Sequence, residues 1–146
     1  MKGNVTVTVE TTSVFGGQKD VLRFTGRGTV TPTDYGYQIR YTAANDLDGA
    51  VVDSEVKLER EGRRAVVINE SGASGYGLLL DPKAVTATRI DGDGGALTLN
   101  VTTQNVSWEL GRREGTVDLG YTLLMGAAPL SALQVHMELK EERETK

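Results

Sequence analysis

Apolar and polar residues alternate along this chain, segment after segment, and that period of two limits what it can become. Val5, Val7 and Val9 interleave with Thr6, Thr8 and Glu10; much later Leu133, Val135, Met137 and Leu139 interleave with Gln134, His136 and Glu138. Successive side chains of an extended strand point to opposite faces, so each such segment is a ribbon with one oily and one wet face. No segment sustains a helical period beside capping residues. Clean alternation also implies antiparallel pairing, because buried parallel strands read as continuous apolar runs.

Turn residues divide the alternation into about eleven strands. They are expected over Asn4–Thr12, Asp20–Thr31, Tyr35–Ala43, Ala50–Glu61, Arg64–Glu70, Tyr76–Leu80, Ala84–Ile90, Ala96–Thr103, Asn105–Gly111, Glu114–Met125 and Ser131–Lys140. Pro32-Thr33-Asp34 is a turn because proline presets the first corner and aspartate bonds its own backbone. Asp91-Gly92-Asp93-Gly94-Gly95 is the strongest hairpin signal, since these residues accept the positive φ of tight hairpin turns. Short strands at close intervals indicate a sandwich or barrel, and closure removes the sticky edges of an open sheet. The expectation is an all-β, closed or nearly closed, antiparallel up-and-down barrel of about eight to eleven strands.

The chain has 146 residues, the size of one domain, and a single barrel is expected over 1–146 with Glu141 to Lys146 as a polar tail. A chain of this length hides roughly 70% of its unfolded surface, enough for a core without staples. It has no cysteine, which excludes a disulfide framework, thiolate metal sites and cysteine nucleophiles and suits a reducing cytoplasm. Met1-Lys2-Gly3-Asn4 runs into a strand with no apolar leader, so no secretory signal is expected. Apolar runs fall far short of the ~20 residues a membrane helix needs. With a net charge of −4 and charges of both signs scattered, no basic stripe is available to neutralise phosphates. Arg63-Arg64 and Arg112-Arg113 read as solvated turn charges. The expected partners are a small-molecule ligand or another protein, not nucleic acid or membrane, with the chain a monomer or homodimer.

Catalytic chemistry is under-supplied. The one histidine, His136, falls in phase with Gln134 and Glu138 on the wet face of the last strand. Without cysteine or a second histidine, neither a Ser-His-Asp or Cys-His arrangement nor a histidine metal site can be assembled. Asp53, Glu55 and Glu59 could in principle do acid–base work, but they lie along the outward face of one strand. Asp91-Gly92-Asp93-Gly94 begins like a calcium loop, yet Gly95 and Thr102 stand where that loop needs oxygen ligands. No catalytic residue, metal or cofactor is expected, and the chain reads as a non-enzyme.

Candidate ligand contacts are the large polar-tipped side chains expected inside the barrel: Tyr37, Tyr41, Trp108 and Tyr121. Arg89 joins them because it is in phase with Val85 and Ala87. If that small apolar side faces inward, Arg89 could hold a carboxylate through two parallel hydrogen bonds; otherwise it sits at the strand end and snorkels out beside Asp91 or Asp93. Trp108 is expected to be buried with Val106 and Leu110. Leu97, Leu99 and Val101 are expected to point inward on the preceding strand.

Several passages resemble the YwiB-like family of uncharacterised bacterial β-barrel proteins. Phe24-Thr25-Gly26 puts a glycine within the second strand, and Tyr37-Gln38-Ile39-Arg40-Tyr41 ends the third in a tyrosine. Leu97 to Val106 is similar to the family's L-x-V-x-T strand and its successor, and Gly115 to Leu123 to its G-x-l-x-l-x-Y-x-l strand. The likeness spans residues 4–140 or so in order and spacing. It implies a calycin (lipocalin-like) fold and no defined activity, because fold does not fix function. The chain departs from the family at Ala43, where a glutamate is usual, at Asn69-Glu70-Ser71-Gly72 in place of Arg-x-Gly, and at Asp91–Gly95 in place of a Tyr-x-Thr-Pro-Tyr-Gly-like segment. If those family residues line a site, this member lacks part of it. Two readings follow: a barrel that binds a small ligand, or an interaction barrel whose interior is filled by its own side chains. A void larger than roughly 300 Å³ with convergent polar groups favours the first.

Overall fold

The computed structural model describes residues 1–71, 74–92 and 95–142. Its strands are β1 (Gly3–Phe15), β2 (Gln18–Pro32), β3 (Gly36–Asn45), β4 (Val51–Glu59), β5 (Arg64–Ser71), β6 (Ser74–Leu80), β7 (Thr86–Gly92), β8 (Gly95–Leu110), β9 (Glu114–Met125) and β10 (Ala128–Glu141). A single 3-10 turn, Glu61–Arg63, is the one helical piece among the described residues. All ladders are antiparallel, and the strands form a 10-stranded sheet in the order β6-β5-β4-β3-β2-β1-β10-β9-β8-β7. The first and last strands pair, Val5 opposite Glu141 through Val14 opposite Ala132, so the chain winds up and down into a nearly closed barrel. The expected fold class is therefore borne out.

Closure is incomplete at one seam, between β6 and β7. There the backbone ladder stops, and two threonine side chains take its place: Thr86 Oγ1 donates to the Leu79 carbonyl at 2.6 Å, and the Thr88 hydroxyl donates to the Gly77 carbonyl. This explains an expectation that fails. Val85, Ala87 and Arg89 do not face inward; Thr86, Thr88 and Ile90 do, with Thr88 only 4% exposed and Val85 66% exposed. Hydroxyls at the inward positions of β7 satisfy carbonyls that a neighbouring strand would otherwise bond, so polar residues occupy the buried phase.

A second correction concerns strand number. The segments expected as separate strands over Ala96–Thr103 and Asn105–Gly111 form one strand, β8. The register against β9 slips between Thr103 and Asn105, where Gln104 is the extra residue of a bulge. A bulge moves the inward phase by one residue. Leu99 and Val101 therefore point inward before it and Val106 after it. Leu97, expected inward, lies at the strand end and is 43% exposed. The hairpin tip at Asp93-Gly94, expected to be metal-free, lies outside the described residues, but Gly92 pairs with Gly95 across it.

The barrel turns sharply where β2 crosses β3. Gly26 and Gly28 occupy inward positions of β2 opposite Ala43 and Tyr41. A Cβ at Gly26 would run into the carbonyl oxygen of Thr42, and one at Gly28 into that of Arg40. Only glycine allows the two backbones to approach so closely at this corner.

Candidate functional site

The two ends of the barrel are built differently. One end carries the Thr33–Gly36 turn, the 3-10 turn and the Gly111–Glu114 turn; there Ile39, Leu58, Ala65, Leu80 and Leu139 are fully buried and Met1, Tyr37, Trp108 and Leu110 pack against them. At the other end, between the β1–β2, β3–β4 and β9–β10 turns, the inward side chains do not meet across the axis. They surround a cavity of about 340 Å³. Val9, Leu22, Phe24, Leu133, Val135 and Met137 supply most of an apolar wall drawn from β1, β2 and β10.

The opposite wall, from β3 through β6 and from β9, is polar at chosen points. Ser54, 7% exposed, donates its hydroxyl proton to Asn69 Oδ1. Asn69 Nδ2 donates to the Tyr76 hydroxyl oxygen at 2.9 Å. Tyr41 stands opposite Ser54 in the β3–β4 ladder, and Tyr121 reaches in from β9. Burial pushes the Tyr41 and Tyr121 phenols above their ordinary range, because a phenolate would be poorly solvated there, and the neighbouring phenol of Tyr76 adds to the rise in both. Three tyrosine hydroxyls, from β3, β6 and β9, thus converge on one cavity whose wall includes no charged side chain among the described residues.

Of the five candidate contacts, the structure brings together two, Tyr41 and Tyr121. Tyr37 and Trp108 belong to the packed end. Each is half-buried and capped by an arginine, Arg60 at 5.7 Å from the Tyr37 ring centroid and Arg63 at 5.9 Å from that of Trp108. Trp108 is therefore less buried than its phase implied, because the last inward positions of β8 lie at the barrel rim under a turn. Arg89 is exposed on the outer face and away from the cavity. Ser54, Asn69 and Tyr76 were missed. Ser54 and Asn69 continue the buried phases of β4 and β5, and a polar residue in a buried phase was the available signal.

Outside the barrel the carboxylates are engaged. Thr42 Oγ1 donates to Asp53 at 2.5 Å, Gln38 Nε2 donates to Glu55 at 2.7 Å, and Arg64 pairs with Glu59 at 2.7 Å. His136 is exposed on the wet face, as expected, with Nδ1 2.6 Å from Asp118 Oδ1 and Nε2 3.4 Å from Glu138 Oε1. The hydrogen bond to Asp118 raises its pKa above the ordinary imidazole value, partly opposed by desolvation and assisted by the charges of Asp118 and Glu138. No cluster of metal-ligating side chains occurs among the described residues, and none of their helices is long and apolar enough to cross a membrane.

Comparison with known proteins places this architecture. The crystal structure of the YwiB protein from Bacillus subtilis superposes with a TM-score of 0.78 over 97% of this chain and 94% of that one, at 20% identity, a likeness of fold. No curated protein matches the sequence. The family model described as Domain of unknown function (DUF1934) matches residues 7–137, nearly the whole barrel, and the resemblance carried by the strand motifs is borne out: the chain belongs to this YwiB-like family.

Proposed function

We propose that this protein is a non-catalytic binding module that takes a small ligand into the open end of its barrel. The observation that carries the reading is the asymmetry of the interior: one end is filled by side chains, while the other holds a cavity of about 340 Å³ with an apolar wall and a few convergent hydroxyls. Cavities of roughly 300–1,000 Å³ with that composition are the usual small-molecule sites. A polar wall held by the Ser54–Asn69–Tyr76 hydrogen bonds, facing an apolar one, supports binding over turnover. The reading places the protein in the cytoplasm as a monomer or homodimer and assigns it no cofactor, metal, nucleic acid or membrane partner. The dispersed charge and the lack of cysteine support that placement.

Native mass spectrometry of the freshly purified protein tests it. A small molecule should accompany the wild-type chain and be lost from Val135→Phe, which fills the cavity while leaving the packed end untouched. Unchanged spectra for wild type and variant, with no adduct on either, would overturn the proposal.

The second reading, a protein-interaction barrel, is favoured by one feature. Phe15, Leu47, Val51, Leu97 and Met125 are exposed apolar residues at the strand ends and turns of the open end, with Leu47 84% exposed. A partner covering that rim would protect these residues from solvent. Binding by a protein partner that persists in Val135→Phe but fails in Phe15→Asp or Leu47→Asp would favour this reading over the first.

A further inference from the structure

We propose that the cavity selects an uncharged amphipathic molecule, recognised through a hydrogen-bond acceptor that meets the hydroxyls of Tyr121 and Tyr76. This inference rests on the ligand-binding reading above and names the ligand's class. It follows from where the protons point. Ser54 has one hydroxyl proton, and it goes to Asn69 Oδ1. The Asn69 amide then donates to the Tyr76 oxygen at 2.9 Å. Donation therefore runs in one direction, Ser54 to Asn69 to Tyr76, and leaves the Tyr76 proton free to donate into the cavity. Each link polarises the next, which strengthens the terminal hydroxyl as a donor.

Tyr121 supplies a second donor from the facing strand. It is 6% exposed and lines the cavity. A buried phenol normally finds a partner, because leaving its hydroxyl unsatisfied is costly. Tyr76 and Tyr121 line the same cavity, one from β6 and the other from β9. One carbonyl, ether or hydroxyl oxygen of a ligand can accept from both.

Charge and size narrow the class further. The cavity wall contains no lysine, arginine or histidine among the described residues, so a carboxylate or phosphate would be buried without a counter-ion. The remaining wall, Val9, Leu22, Phe24, Leu133 and Val135, suits a hydrocarbon tail or ring. A volume of about 340 Å³ holds roughly eleven water-sized groups. The chemistry is therefore that of a small ketone, ester, amide or phenol, not of a fatty acid or a nucleotide.

Isothermal titration calorimetry with two probes of matched size, methyl heptyl ketone and octanoate, tests this on the full chain at neutral pH. The ketone should bind about tenfold or more tightly than octanoate. Tyr121→Phe and Tyr76→Phe should each weaken the ketone by about five- to tenfold, the effect of one neutral hydrogen bond, while their melting temperatures stay near wild type. Octanoate binding as well as the ketone, or better, would overturn the uncharged class while leaving the pocket intact. Ketone binding that is unchanged in both phenylalanine variants would overturn the tyrosine assignment. Binding of neither probe would overturn the ligand-binding reading along with the class.

Discussion

The two ends of this barrel are made from the same strands and follow opposite rules. β4 shows this over a few residues: Leu58 and Val56 are fully buried toward the packed end, while Ser54, two residues further on in the same phase, carries a hydroxyl into the cavity wall. β9 does likewise, with Val117 buried in the core and Tyr121 at the cavity. One end is thus specified by volume, since apolar side chains must fill the space where the walls meet. The other is specified by satisfaction, since its polar groups are bonded among themselves and leave donors aimed inward. Stability should reside in the first region and selectivity in the second.

The largest test of that division is Leu58→Ala, which should cost about 2–5 kcal/mol because a fully buried leucine in a closed layer leaves a cavity behind. Leu133→Ala, beside a cavity that already exists, should cost about 1 kcal/mol or less. Urea unfolding of both variants checks the contrast, and equal losses would dissolve it. Trp108→Ala should fall between the two, at about 2 kcal/mol, below the 3–5 kcal/mol of a fully buried tryptophan. Its native emission maximum should correspondingly lie between those of buried and exposed indole.

The phenols sharpen the comparison through pH. Tyr41 and Tyr121 have raised pKa values in the folded protein, so they hold their protons where the unfolded chain releases them above its ordinary value of 10.0. Fewer protons bound in the unfolded state means that stability falls as pH rises, by up to about 1.4 kcal/mol per pH unit for each such group. Alkaline unfolding should therefore steepen above pH 10, and Tyr121→Phe should reduce the slope with little change at neutral pH. An unchanged slope would place that phenol in contact with water.

The smallest effect is expected on the outer wall, at His136. Its raised folded pKa means that the pair with Asp118 stabilises fully below the unfolded value of 6.5 and is lost as pH rises through the folded value. The side chain is 45% exposed, so the contribution should be a few tenths of a kcal/mol. His136→Gln should lower the melting temperature slightly at pH 5 and not at pH 8. A large loss at both values would mean that the residue holds the β9–β10 pair by packing instead of charge.

Much of this architecture was legible in the residues. Alternation along β1 and β10 placed Val5, Val7, Met137 and Leu139 in the core and His136 outside, because a strand's faces follow from its period alone. Gly26 of β2 and the strand motifs marked the family. Alternation, however, defines two faces without saying which is inner. On β7 the small apolar face was outer and the threonine face inner, since only hydroxyls could bond the unpaired carbonyls of β6 across the seam. Nor could the period alone tell a bulge from a new strand, because both shift the phase by one residue; pairing with β9 decided it at Gln104.

The candidate site was legible only in part. Tyr41 and Tyr121 stood out as bulky polar-tipped residues in buried phases. Tyr37, Trp108 and Arg89 shared that description and lie elsewhere, because side-chain type does not record height along the barrel axis. The sequence by itself determined a ribbon of antiparallel strands with an oily face, through local sterics and the cost of exposing apolar surface. Only the tertiary structure decided where that face fails to meet itself and which hydroxyls stand there, since register, closure and depth depend on residues far apart in the chain.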